Sequence, residues 1–125
     1  MNIYDKLYDL TNAIKSSAEY QRYKYAAEKV DSNPTHSQML KDYLKVQMQI
    51  QMAKMMGTEP PQEVIEQFNM LYTAVSPIES IGEFMQAQAY FSSIVDDIMK
   101  AITDATKIDA DFLNIYPDGL FGNEE

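Results

Sequence analysis

From Thr35 to Met56 the chain contains neither glycine nor proline. Read as one helix at 1.5 Å per residue, that stretch spans about 33 Å. Pro34 suits the first helical position behind Asn33, because the N–H it lacks has no intrahelical partner there. Thr35 with Gln38 offers a second possible cap. Gly57 follows as a C-cap would. One passage runs against the reading: Val46-Gln47-Met48-Gln49-Ile50-Gln51-Met52 alternates apolar and polar, the period of a half-buried strand. Gln, Met, Lys and Leu favour helix, and Leu40, Tyr43 and Leu44 extend a helical stripe into it. On a helix, apolar side chains at 46, 48, 50 and 52 fall on several sides of the rod. More than one face then needs an apolar neighbour.

The rest of the chain reads as helices around this rod. Ile3, Leu7, Leu10 and Ile14 lie at offsets 0, 4, 7 and 11, one stripe of a 3.6-residue helix. Ser16 with Glu19 predicts a capping box for a second helix carrying Tyr20, Tyr23, Ala27 and Val30. That helix ends at Asp31-Ser32-Asn33-Pro34. Thr58-Glu59-Pro60-Pro61 predicts a turn into a fourth helix with Val64, Ile65, Phe68, Leu71, Tyr72 and Val75 on one side. Ser76-Pro77-Ile78-Glu79 predicts Ser76 as the N-cap of a fifth helix, from about 77 to 106. Ile81, Met85, Gln88, Val95, Ile98 and Ile102 line one side of it, widened by Phe84, Phe91 and Ile94. The expected fold is therefore all-α: about five helices in an elongated bundle with a long antiparallel helical hairpin. One helical domain is expected over 1–107. An acidic, mostly irregular tail is expected over 108–125, where Tyr116-Pro117-Asp118-Gly119 is turn-forming.

Composition narrows the function. A chain of 125 residues, 46% apolar and 23% charged, is one domain's length and too hydrophobic for intrinsic disorder. It has no cysteine, which excludes disulfides and thiolate metal sites and suits a reducing compartment. The opening residues lack a signal-peptide pattern and no apolar run reaches about 18 residues, so the expected location is the cytoplasm. The net charge of −9 is uneven: residues 58–125 carry thirteen acidic and two basic side chains. Such a half repels phosphate backbones, so direct nucleic-acid binding is not expected.

Catalytic constellations are sparse. The single histidine, His36, sits in the first turn of the third helix, with no motif that pairs it to a nucleophile. No Glu has a His three residues on, as di-iron bundles require. Asp109-Ala110-Asp111 lacks the Gly and Glu of a calcium loop. Glu63 with Glu66, and Asp96 with Asp97, fall on polar faces. No catalytic, cofactor or metal residue is assigned, and the chain is read as non-enzymatic. A carboxylate-based metal-binding bundle is the alternative, resting on the excess of Asp and Glu. Methionine is the unusual feature: there are nine, with Met39, Met48, Met52, Met55 and Met56 on the third helix. Flexible thioethers suit either a core between helices or a surface that receives a partner. The long helices carry more apolar width than three short ones can cover, so a homodimer is expected. Its interface, or that to other protein partners, is expected to include Tyr43, Met48, Met52, Met55, Met56, Phe84 and Phe91.

Asn2-Ile3-Tyr4-Asp5 with Leu10, Ser17-Ala18-Glu19-Tyr20, Gln47-Met48-Gln49-Ile50-Gln51 closed by Met56-Gly57, and a last long helix with Phe91 together resemble the YlbF/YmcA family of bacterial proteins, in its YheA-like branch. The resemblance covers residues 2 to about 105. It implies an all-α fold, self-association, and a regulatory or accessory role without enzymatic activity. Some members of that family join related proteins in a complex that influences RNA processing and developmental decisions. Those members hold iron–sulfur clusters with cysteines that this chain lacks.

Overall fold

A computed structural model describes residues 2–115. Among these, five α-helices run in order: α1 (Ile3–Ser16), α2 (Ala18–Asp31), α3 (Pro34–Met55), α4 (Gln62–Val75) and α5 (Glu79–Thr106). A 3-10 helix, η1 (Asp111–Ile115), follows, and no described residue lies in a strand. The alternating passage from Val46 to Met52 is helical throughout. Within the tail expected to be mostly irregular, residues 111–115 form this short 3-10 turn; the turn expected at Tyr116 to Gly119 lies outside the described residues.

The helix ends show which polar groups stop each helix. Asn2 caps α1, its Oδ1 accepting from the Tyr4 N–H at 2.7 Å. Between α1 and α2, Ser17 is extended at φ −69° and ψ 148°. Its hydroxyl accepts from the Tyr20 N–H at 3.1 Å and donates to the Ile14 carbonyl at 2.7 Å, serving both helices. The expected cap at Ser16 is thus displaced by one residue. Ser16 stays helical and donates back to the Asn12 carbonyl at 2.9 Å, which leaves its oxygen turned away from the next helix.

Asn33 Oδ1 accepts from the His36 N–H at 3.1 Å with Pro34 at the first helical position, so Thr35 is not the cap. The other end of α3 closes at Gly57, whose φ of +75° lies in the left-handed region. The Gly57 N–H donates to the Lys54 carbonyl at 3.1 Å and the Thr58 N–H to the Ala53 carbonyl at 2.9 Å. This pair of bonds is the Schellman motif, which glycine enters without a Cβ penalty.

Ser76 does not cap α5. It keeps helical angles and donates its hydroxyl to the Tyr72 carbonyl at 2.6 Å, so it ends α4, and α5 starts at Glu79. Placing Pro77 after that last turn serves the stop signal of α4 and not the start of α5.

Contacts divide the chain into two units at Gln88 and Ala89, inside α5. In the first unit, α4 packs mainly on α3 and α2 on both α1 and α3. Ala26 and Val30 of α2, Leu40 and Tyr43 of α3, Val75 of α4, and Ile81, Phe84 and Ala87 of α5 form one buried cluster. Ile81 has no exposed surface and Val75 scarcely any. Phe68 of α4 stacks on Tyr43 with ring centroids 5.3 Å apart, and Tyr23 lies 5.7 Å from Phe84. An ion pair between Lys29 and Glu83, at 3.4 Å and half exposed, adds little beside this burial. In the second unit, α5 continues to Thr106 with an i,i+4 pair between Lys100 and Asp104 at 3.3 Å. None of its described residues with assigned exposure is buried.

Ile81 fills the centre of the first unit, so Ile81→Ala leaves a cavity that the helix ends cannot close. Urea unfolding followed by circular dichroism is expected to show a loss of about 2–5 kcal/mol. A loss under about 1 kcal/mol would mean that the site collapses or is hydrated.

Candidate protein-interaction surface

The seven residues expected at an interface fall into three environments. Tyr43 and Phe84, only 3% and 7% exposed, face inward and belong to the buried cluster. They were expected at an interface, and within the single chain they lie in the interior of the first unit. Their aromatic bulk is taken up by α4 and α2 respectively, through Phe68 and Tyr23. Burial, with the neighbouring Tyr72 phenol as a second cause, pushes the Tyr43 hydroxyl above its ordinary value. Desolvation disfavours the phenolate, and a second phenolate nearby adds repulsion.

The methionines are placed oppositely. Met48 and Met52 are more than half exposed, and Met55 and Met56 are 85% and 75% exposed. Met48, Met52 and Met55 lie at offsets 0, 4 and 7, so they form one stripe on the C-terminal half of α3. Met56 continues it at the helix cap. Leu40, Tyr43 and Val46, the buried residues of α3, lie in its middle third. The rod is thus packed along its middle, with the Met stripe exposed on one side of its C-terminal half. Phe91 is half-buried in the second unit.

One turn before Met48, Leu44 lines an apolar groove of about 330 Å³ together with Ala27, Val30, Leu40 and Phe84. Its rim carries Glu28, Asp31, Ser37 and Lys41, and the Ser37 hydroxyl donates to Asp31 at 3.3 Å. The groove and the Met stripe share the Leu44–Met48 spacing of i,i+4 and so run into each other on α3. The surface is apolar in the middle and bordered by Gln51, Lys41, Lys45 and Lys54, all exposed.

Sequence reasoning missed α1 as a surface. None of its residues is buried, and Ile3, Tyr4, Leu7 and Tyr8 are exposed. The signal was the stripe itself, which predicted the helix and said nothing of what covers it. Met70 and Tyr72 of α4 are likewise exposed.

Glu63, Glu66, Asp96 and Asp97 are exposed, and His36 is half-exposed in the first turn of α3. Among the described residues no three His, Asp or Glu side chains form a group that could hold a metal ion. No described helix is long and apolar enough to cross a membrane.

The family model described as "Control of competence regulator ComK, YlbF/YmcA" matches residues 3–106. The chain belongs to this family. Among YlbF/YmcA relatives, a UPF0342 protein of Caldicellulosiruptor saccharolyticus is 31% identical over 107 residues, covering 86% of this chain and 89% of its own. A UPF0342 protein of Symbiobacterium thermophilum is 31% identical over 88% of this chain and 98% of its own. The UPF0342 protein YheA of Bacillus subtilis is 30% identical over 82% of this chain and 87% of its own. The match to the YlbF/YmcA model includes the exposed stripes of α1 and α3 and ends with α5.

The raised Tyr43 value has a defined sign. The folded state holds that proton more tightly than the unfolded chain, so this contribution to stability is present below the ordinary phenol value near 10 and is lost as pH rises through the folded one. Urea midpoints measured from pH 8 to 11 are expected to fall less steeply in Tyr43→Phe than in the parent. Equal slopes would show that Tyr43 is solvated in solution.

Proposed function

We propose that the chain is a non-enzymatic adaptor or regulator that works by binding protein chains, another copy of itself among them. The exposure of Met48, Met52, Met55 and Met56 on one end of α3 carries this reading. A folded domain gains by covering such a surface, since each buried methylene contributes roughly 0.8 kcal/mol. Unbranched thioethers adapt to differently shaped partners at small rotamer strain, as surfaces that bind several proteins require.

Membership of a family described by control of a competence regulator supports a regulatory role exercised through protein contacts. An effect on RNA would pass through a protein partner, because the acidic half of the chain repels phosphate. The lack of cysteine supports a cytoplasmic setting. The solvated placement of the paired carboxylates supports a role without catalysis: burial is what would separate their proton affinities into an acid and a base.

Light scattering on a sizing column is expected to show at least twice the 14.3 kDa chain mass at micromolar concentration. Combining Met48→Gln, Met52→Gln and Met55→Gln is expected to remove at least one protein that copurifies from the native cell. Thermal unfolding of that variant should shift little, since exposed substitutions typically change stability by about 0.5 kcal/mol or less. A parent protein that runs as a clean monomer, with an unchanged set of copurifying proteins in the variant, would sink the proposal.

A further inference from the structure

Alone among the five helices, α1 has no buried residue. Its 14 residues are near the length below which a helix is marginal in water without tertiary support. It nevertheless carries Ile3 at 82% and Leu7 at 45% exposure, with Leu10 and Ile14 completing the stripe. A face of this kind calls for a cover. Its spacing indicates which.

Ile3, Leu7, Leu10 and Ile14 are separated by four, three and four residues, the a/d spacing of a coiled-coil seam, with Leu7 and Ile14 at a and Ile3 and Leu10 at d. The series reads the same from either end of the helix. Laid antiparallel on a second copy about a twofold axis, Leu7 meets Leu10 and Ile3 meets Ile14 in four matched layers. A twofold pairing in either direction is isologous, and in the reversed one the four-three-four spacing brings all four positions into register.

Charge favours the same direction. The N-terminal half of α1 carries Asp5, Lys6 and Asp9, a net −1, and the C-terminal half carries Lys15, a net +1. Antiparallel packing sets each half against its opposite, and it also opposes the two helix dipoles. Beside the seam lie Tyr4 and Thr11 on one edge and Lys6 and Ala13 on the other. Lys6 therefore lies next to Ala13 of the second copy and not next to another lysine.

We propose that α1 is a homodimerisation arm in which two copies pair antiparallel through Ile3, Leu7, Leu10 and Ile14. This rests on the self-association proposed above and assigns it a place. It also leaves the Met48, Met52 and Met55 stripe open for a partner of a different sequence, so the chain has one surface for itself and one for its target.

The absence of cysteine in the native sequence makes a directional test simple. Full-length Ile3→Cys and Ile14→Cys chains are mixed and mildly oxidised. The expected product is the mixed 3–14 disulfide, in several-fold excess over 3–3 and 14–14. Positions 3 and 14 lie about 16 Å apart along a helix, beyond the Cα separation a disulfide spans. Separately, Leu7→Glu with Leu10→Glu is expected to raise the dimer dissociation constant at least tenfold by light scattering.

A parent chain that is dimeric but yields mainly 3–3 and 14–14 products, or no cross-link, overturns the arm and leaves self-association standing. So does an Leu7→Glu, Leu10→Glu chain that stays dimeric at low micromolar concentration. A monomeric parent overturns the arm together with the self-association on which it rests.

Discussion

The first unit depends on the closing of four helices around Ile81 and Val75. These two side chains sit on either side of the bend from Ser76 to Ile78 and both reach into the same cluster. Because α4 ends and α5 starts within that bend, their apolar stripes are delivered together to one face of α3. Leu40 and Tyr43 meet them there, and Ala26 and Val30 of α2 seal the remaining side. The small side chains of Ala26 and Ala87 allow close approach where larger ones would hold the helices apart. Remove that junction and the first unit has no shared interior, only helices with solvated apolar faces.

The same arrangement determines what is left uncovered. A 22-residue helix has its buried residues only from Leu40 to Val46, so Met48, Met52 and Met55 stay in solvent on one side of its C-terminal half, while Ile50 and Ala53 are half-buried. The alternating passage from Val46 to Met52 spreads those side chains around the axis, and no single neighbour could have taken them all. At the other end of the chain, α1 is joined to α2 through Ser17, whose hydroxyl bonds both helices and sets the angle of departure. Among the described residues, α1 and the Met stripe of α3 thus present apolar surfaces on separate helices. The proposed self-pairing through one and target binding through the other would divide the work between them.

Much of the fold was legible in the chain because helix ends are local chemistry. Gly57 closes α3 since only a residue tolerant of positive φ completes its last hydrogen bonds, and Asn33 with Pro34 opens it. Where the reading slipped, two serines competed for one role. Ser16 and Ser17 are adjacent, and Ser76 precedes a proline; which hydroxyl turns forward to cap and which bonds back to its own helix depends on the backbone angle at that residue. That angle is set by how the two helices pack. The interface residues divided for a similar reason: Tyr43 and Met48 are both apolar positions on one helix, five residues apart.

The sequence by itself determined five helices, their approximate limits, the absence of any thiol chemistry and the family to which the chain belongs. Spacing along one axis carries that information, because a helix stripe and its caps involve residues only a few positions apart. Only the tertiary structure decided which stripes became interior. Tyr43 and Phe84 went inside, while Met48, Met52, Met55 and most of α1 stayed outside. Burial depends on what lies beside a helix at a given height, and contacts between residues far apart in the chain cannot be read from the period of either one.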